Sequence, residues 1–444
     1  MTIQTSKTPI GLDGVPAAET ALSHVDGQKG ELIIAGERVA DLAAKSSFEG
    51  VTARLWTAAN NSPISEAEVR AALGGARVRA FGHVPQFLAA SDGLSIVDGF
   101  RAAVATLRAE HGLTHDATIV GALPVIVGAL VQRAAGKQPH IPNAKLSHAA
   151  DTLSMLHGRA PNAAETAALD AYFVTVCDHG MNASTFTARV IASTQADLFC
   201  AVTGGYCALT GPLHGGAPEP VLEMLDAIGT RERIQPWIDG ALARGERLMG
   251  FGHRVYKVRD PRADVLKTAV GKLASNAIDM PFAAEVEAYA REALRRKKPD
   301  HPLDTNVEFF TAILLDALQI PRQAFTPIFA TARAAGWTAH ARELVTDCET
   351  PCALDMRTVT MVASGPHLVV LYATTTRGPG DARTTTLFRA DGASAPTIVF
   401  THPAADIVGV RAIADASCHL HVAYDEIDAT NGVTSTRYVL LGAP

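Results

Sequence analysis

The spacing of hydrophobic positions divides the chain into three zones. Through the first forty or so residues, short apolar runs alternate with turn residues, and ELIIAGERV (31–39) predicts a small β-hairpin turning near Gly36. Beyond Phe48 the period lengthens: Phe48, Val51, Leu55 and Trp56 recur at three- and four-residue steps, and Ala-rich segments continue in this way to about residue 345. Alanine has the highest helix propensity and lets helices approach closely, so this zone predicts a dense, mainly α-helical bundle. From about Thr346 the pattern becomes one of alternating strands rich in Thr, Val and Gly. Here MVASGPHLVVLY, from Met361, resembles IADASCHLHVAY, from Ile413, and each copy is followed after a turn by a further strand, TTTLFR and TSTRYVLL. A repeat of about 50 residues built from several strands suggests propeller blades, although a closed propeller needs about four to eight and two are visible. The tail is therefore read as an incomplete propeller, a small independent sheet, or an element completed by another chain. His367 and His419, at matching positions of the repeat, are read as packing residues rather than ligands.

Bulk properties narrow the class. With 444 residues, 48% hydrophobic and 19% charged, the chain has material for two or three domains and lacks the composition of a disordered protein. A net charge of −6 argues against a nucleic-acid partner, which selects a basic face, so any anion must be bound by local arginines. The start, MTIQTSKTPIGLDG, has no basic region leading into an apolar segment, which predicts a cytoplasmic protein. The longest charge-free apolar run, 117–132, contains Pro124 and falls short of the roughly 18 to 20 residues of a membrane span, so a buried helix is expected. Cys177, Cys200, Cys207, Cys348, Cys352 and Cys418 form no paired framework and are read as small buried hydrophobes in a reducing compartment. The grouping of Cys348, Cys352, Cys418 and His421 matches no zinc spacing, so no metal is expected there.

The candidate chemistry concentrates in LMGFGHRVYKVRDPRADVL (248–266). Gly250 and Gly252 flank Phe251 and deliver His253 on a turn where a missing Cβ lets the backbone come close to a bound molecule. Asp260 followed by Pro261 is a helix-start signal that puts Arg262 at a helix mouth, so His253 and Arg262 can share one small anion. Upstream, Asp178, His179, Gly180, Met181 and Asn182 precede STFTARVIAST, a helical run entered through Ser184. His179 is there either a core histidine bonded to a carbonyl or part of a pocket wall. GPLHGGA (211–217) places His214 at or just before the helix PEPVLEMLDAIG, whose dipole favours a neutral ring. A neutral imidazole donating one hydrogen bond suits an enolate oxygen, and the adjoining glycines equally suit a hinge. In NVEFFTAILLDALQIP, Asn306 predicts an N-cap and Glu308 lies in the first turn. A first-turn Glu can merely answer the helix dipole, but Val307, Phe309 and Phe310 should raise its pKa toward that of a general base. Arg333, within AFTPIFATARAAGWTAHARE, lies among Ala and Gly and needs a carboxylate, from the protein or from a dicarboxylate substrate.

Four motifs, GLDGVPAAETALSHVDG, DHGMNASTFTARV, GPLHGGA and GFGHRVYKVRDPR, agree in order and spacing with one family: residues from about 10 to 343 resemble citrate synthase. The resemblance implies a mainly α fold with a large domain (1–215 and 321–345) and a small domain (216–320) closing over the substrates in a homodimer, followed by a β-rich extension (346–444) foreign to the family. It implies an acyltransferase that condenses acetyl-CoA with oxaloacetate and water to give citrate and CoA, as in the tricarboxylic acid cycle. Glu308 is then the base that removes a methyl proton, His214 the donor to the enolate oxygen, and His253 the group that polarises the keto carbonyl. His179, Arg262 and Arg333 would hold the carboxylates. Leu248, Met249, Gly250, Phe251 and Gly252 would lie along the CoA, with Lys297 or Lys298 near its phosphates. Neither a metal nor a cofactor beyond the acyl-CoA substrate is implied, and propionyl-CoA, giving 2-methylcitrate, is an alternative donor. Two departures stand out. The family acid is usually Asp, and the extra methylene of Glu308 moves the carboxylate by roughly an ångström, a displacement that can cost about a hundredfold in rate. Family chains also end in a short tail, often holding an Arg-Pro step, whose Arg reaches the partner's site. No such step follows Glu343, and Arg357 is the nearest candidate. A second reading follows, a catalytically impaired dimeric scaffold presenting a β-rich interaction module.

Overall fold

The computed structural model describes residue 18 and residues 20–441 except 61, 212–213, 216–217, 254, 274–278, 300–302, 350–357, 365–366, 378–382, 392–396, 404, 415–419 and 429–433, with side chains as far as residue 344. Two units are distinguished, Met1–Glu343 and Leu344–Pro444.

The first unit opens with three short antiparallel strands, β1 (Ser23–Asp26), β2 (Glu31–Ile34) and β3 (Glu37–Arg38), in that order. The β2–β3 turn is the hairpin predicted around Gly36, and β1 adds a strand that the alternation did not signal. Helices follow: α1 (Val39–Lys45), α2 (Phe48–Asn60), α3 (Glu66–Phe81), α4 (Val84–Ala90), α5 (Ile96–Val104), α6 (His115–Ala134), α7 (His148–His157), α8 (Ala163–Val176), α9 (Ala183–Ser193) and α10 (Leu198–Leu209). Then come α11 (Pro218–Ile228), α12 (Ile234–Ala243), α13 (Pro261–Gly271), α14 (Met280–Lys297), α15 (Val307–Ala317) and α16 (Phe325–Glu349). Phe48, Val51, Leu55 and Trp56 are all buried on α2, as their spacing requires. The apolar run around Pro124 is α6, long and apolar enough to cross a membrane but covered by the protein over almost its whole length, so it is the core helix of the bundle.

Three details differ from the sequence reading. The helix after His179 is entered through Asn182, whose Oδ1 accepts from Ser184 N at 3.0 Å and Thr185 N at 3.1 Å, so Ser184 is inside the helix rather than its cap. Cys177 is buried, but Cys200 and Cys207 are exposed, because Phe199, Val202, Tyr206 and Leu209 occupy the buried face of α10. Finally α16 continues to Glu349, past the predicted change at Thr346, so residues 346–349 are helical and not part of a β segment.

In the second unit, β4 (Thr358–Ser364), β5 (His367–Arg377), β6 (Arg383–Asp391) and β7 (Thr397–Pro403) form an antiparallel sheet in chain order. A second antiparallel sheet has β9 (Leu420–Asp428) between β8 (Ala405–Ala414) and β10 (Thr434–Leu441). His367 opens β5 and His421 lies on β9, whereas His419, Cys352, Cys418 and Arg357 lie outside the described residues, as does the side chain of Cys348.

Candidate active site

Two helix starts and one loop are tied into a single scaffold. Asp260 is the N-cap of α13, accepting from Arg262 N at 3.0 Å, and its carboxylate also takes Arg262 Nε at 3.0 Å and Nη2 at 2.7 Å. The same carboxylate accepts from Val307 N at 3.1 Å, so one buried Asp caps both α13 and α15. Asn306, the N-cap of α15, receives Glu308 N at 3.0 Å, donates its own N–H to Gly250 O at 3.0 Å, and donates Nδ2–H to Gly252 O at 2.8 Å. Gly250 and Gly252 have φ of 84° and 83°. A Cβ on Gly250 would lie 2.8 Å from Cβ of Phe309, so the glycine is required by the packing of the loop on α15 as well as by its left-handed backbone. The outcome is that His253, Arg262 and Glu308 share one scaffold.

The three histidines join there. His253 Nδ1 accepts from Val255 N at 3.0 Å and Tyr256 N at 3.2 Å, which leaves the ring proton on Nε2. That nitrogen lies 3.5 Å from Arg262 Nη2; two N–H donors facing each other cannot bond, but both can point at one oxygen acceptor. His179 meets His253 edge-on at 5.6 Å between ring centroids and has its Nε2 3.0 Å from the Tyr256 hydroxyl. His214 Nε2 is 2.9 Å from Ser184 Oγ, which also accepts Trp337 Nε1–H at 3.1 Å. Burial, then the neighbouring arginines, lowers the pKa of His253 and of His214 to about 4 and that of His179 well below its usual value. All three rings are neutral at pH 7. For His214 the expected state is present but its main cause differs: burial and the charges of Arg333 and Arg262 lead, and α11 starts only at Pro218.

Glu308 and Arg333 supply the charge. Glu308 as a residue is half-buried, but its Oε2 is fully enclosed and has no protein partner. Burial raises its pKa to about 7 against the opposing pull of Arg262 and Arg333. Arg333 is 1% exposed, donates Nε–H to Val176 O at 2.6 Å, and stacks 4.8 Å above the Phe329 ring. Its Nη2 has no protein partner, and no acid among the described residues forms an ion pair with it. Of the two partners open to Arg333 in the sequence, a protein carboxylate is not found among the described residues. The buried hydroxyl of Tyr172 on α8 is likewise unpartnered and interacts electrostatically with Glu308, Arg333 and Arg262. Buried polar atoms left unpaired cost about 1–3 kcal/mol each, more for charged groups, so a small carboxylate ligand is the natural complement of this site.

Behind His179, α16 comes very close to the end of α8: a Cβ on Gly336 would lie 2.5 Å from Cys177 O. This contact accompanies a buried bond between His340 Nε2 and Asp178 Oδ1 at 3.1 Å. Burial opposes ionisation of Asp178, yet His340 and Ser23 bring its pKa down to about 2, and its Oδ2 accepts from Gly180 N at 3.2 Å. The turn carrying His179 is thus fixed from behind.

The nucleotide side is less open than the motif suggested. Leu248, Gly250 and Phe251 are buried under other residues, and Met249 and Gly252 are half-buried. Lys297 donates to Leu242 O, while Lys298 is exposed at the end of α14. Gly215 is packed against Leu209, with its N–H on Leu209 O at 2.9 Å and its carbonyl accepting from Thr326 Oγ1 at 3.0 Å, so it is held rather than loose; Gly216 lies outside the described residues. No grouping of three or more metal-ligating side chains occurs among the described residues. Sequence reasoning missed Tyr256, Tyr172, Ser184 and Trp337 as members of the site, and missed that Asp260 pairs with Arg262 as well as capping its helix. The Asp-x-Arg spacing was the one available signal for that pair.

Comparison with known proteins agrees with this geometry. Residues 11–350 match the family described as "Citrate synthase, C-terminal domain". The chain is 36% identical over 359 residues to "Citrate synthase" of Acidithiobacillus ferridurans, covering 76% of this chain and 92% of that one. It is 34% identical over 349 residues to "2-methylcitrate synthase" of Mycobacterium tuberculosis, covering 76% and 86%. Among solved structures, the citrate synthase of Thermotoga maritima superposes with a TM-score of 0.64 at 31% identity, covering 74% of this chain and 90% of that one. The ternary complex of the Thermoplasma acidophilum citrate synthase with carboxymethyl coenzyme A and oxaloacetate superposes with a TM-score of 0.67 at 26% identity, covering 76% and 91%. The match also extends past the expected limit near Glu343, to the end of α16. With a family match spanning the whole helical unit and the same residues gathered at one site, the chain belongs to the citrate synthase family of acyltransferases.

Proposed function

We propose that the protein condenses acetyl-CoA with oxaloacetate and water to form citrate and CoA, with no metal or added cofactor. The observation that carries this reading is the enclosed, unpartnered Oε2 of Glu308, whose pKa burial raises to about 7, beside neutral histidines and a buried guanidinium, Arg333, whose Nη2 has no protein partner. Glu308 takes a proton from the methyl carbon of the thioester, while His214 donates to the oxygen that becomes enolate. Ser184 Oγ accepts from Trp337 Nε1–H and has two acceptors for its own proton, Asn182 Oδ1 at 2.8 Å and His214 Nε2 at 2.9 Å; the donor role given to His214 takes the second, which leaves Nδ1–H for that oxygen. The new carbanion centre attacks the keto carbon of oxaloacetate, whose oxygen is held by His253 Nε2–H. Arg262, Arg333 and His179 bind its carboxylates, and water then cleaves the thioester. The stretch 248–252 lies along the CoA, with Met249 and Gly252 as its accessible part, and Lys298 is the better placed of the two lysines for phosphate.

The same reading takes 1–215 with 321–345 as a large domain and 216–320 as a small one, in a cytoplasmic homodimer. Propionyl-CoA is a second donor, supported by the relative named 2-methylcitrate synthase. The chain beyond α16 is an added β-rich module of two blade-like repeats; the placement of the two sequence copies on the hairpins β4–β5 and β8–β9 supports this. The test is CoA release with oxaloacetate and either acetyl-CoA or propionyl-CoA, in the native protein and in Glu308→Ala. Turnover that disappears in the variant establishes the synthase and names its donor. Silence from the native protein with both donors rejects the reading in favour of a dimeric scaffold.

A further inference from the structure

Tyr256 touches most of the oxaloacetate side of the site without having been assigned a part in it. It is 3% exposed. Its ring lies 4.8 Å from that of His253 and 5.6 Å from that of His179, with the guanidinium carbon of Arg262 5.8 Å from its centroid. Its backbone N–H is one of the two that make His253 Nδ1 an acceptor. Its hydroxyl has one hydrogen-bonding neighbour among the described residues, His179 Nε2 at 3.0 Å.

A buried phenol has to place its proton on an acceptor, because an O–H left without one carries the desolvation penalty of an unsatisfied donor. The acceptor within reach is His179 Nε2. Neutral imidazole accepts at one nitrogen and donates at the other, so accepting at Nε2 fixes the ring proton on Nδ1. His179 Nδ1 has no hydrogen bond to any described residue. Carboxylate and keto oxygens only accept, so of the two tautomers the Nδ1–H form alone offers them a proton from that nitrogen. We propose that Tyr256 is a positioning residue that locks His179 in its Nδ1–H tautomer, so that this nitrogen donates to an oxygen of oxaloacetate. Tyr256 thereby does through its hydroxyl for His179 what it does through its backbone N–H for His253. The ring is packed between both histidines and Arg262, which keeps the hydroxyl from swinging away when substrate enters.

The inference rests on the oxaloacetate reading for its kinetic part, whereas its structural part stands alone. The experiment uses the full chain labelled with 15N-histidine, His179 being assigned by loss of its signals in His179→Gln. Native His179 is expected as Nδ1–H, and in Tyr256→Phe it shifts toward Nε2–H. In the same variant KM for oxaloacetate rises about tenfold, the size of one lost hydrogen bond, while kcat stays within about threefold and KM for acetyl-CoA is unchanged. A native Nε2–H signal, an unaltered tautomer in the variant, or an unaltered KM for oxaloacetate overturns the proposal. The native spectrum tests it even where the variant fails to fold. Absence of CoA release by the native protein rejects the oxaloacetate reading and leaves the tautomer assignment to be judged from the spectra.

Discussion

Glu308 and the histidines around it titrate in opposite senses. The carboxyl group of Glu308 is raised from 4.5 to about 7, so the folded state holds a proton there that the unfolded chain has released. Its contribution to stability is fully present below pH 4.5 and is lost as pH rises through 7. Catalysis needs the opposite form, so kcat/KM for oxaloacetate is expected to climb with pH along a limb centred near 7. Glu308→Gln is expected to lower kcat by about 10²–10⁴-fold and to raise the melting temperature at pH 8, where the native protein carries an unpartnered buried charge. A melting temperature unchanged at pH 8 would show that this carboxylate finds a partner in solution. His253 and His214 are depressed from 6.5 to about 4, so the stability they contribute is present above pH 6.5 and is lost as pH falls toward 4. His253→Gln should accordingly flatten the fall in melting temperature between pH 6.5 and pH 4. An identical slope in the variant would mean that the ring is already charged when folded.

Between elements, Asp260 links two helix starts: it caps α13, accepts from the first N–H of α15 and pairs with Arg262. Removing one partner of a buried ion pair costs about 3–5 kcal/mol, so Asp260→Ala is expected to lose that much by denaturant titration. A loss below about 1 kcal/mol would show that Arg262 is held by other groups. Half of this arrangement was legible. Asp-Pro before Arg262 and Asn before Glu308 announced two helix starts, because capping depends on local sequence. That the two starts share one carboxylate depends on residues 47 positions apart, which no local pattern encodes. The contact of Tyr256 with His179, across 77 positions, was hidden for the same reason. Entry to α9 was misplaced because Asn182 and Ser184 are both good caps. Tertiary contacts decided it: Ser184 is engaged by His214 and Trp337, which leaves Asn182 to close the helix.

At the scale of the whole chain, the composition change near Thr346 was legible but the end of the helical unit was not. LVTDCE carries no helix breaker, and a helix already anchored along its length propagates through such a segment. The anchoring is dense up to Glu343: that carboxylate receives Arg189, the Thr20 hydroxyl at 3.1 Å and Ala21 N at 2.7 Å, while Arg342 pairs with Asp116 at 3.0 Å. Every side chain assembled at the candidate site belongs to residues before 343, and Trp337 and Arg333, among the largest fully buried groups, complete the core there. A chain ending at Glu349 is therefore expected to melt within about 3 °C of the full-length protein, since the polar contacts that fix α16 remain, and to bind oxaloacetate with unaltered affinity by calorimetry. Turnover is the sharper measurement. If the site is complete within the helical unit, kcat of the shortened chain stays within about threefold of the full chain. A loss of a hundredfold or more with intact melting and binding would instead place a group needed for turnover in the last hundred residues.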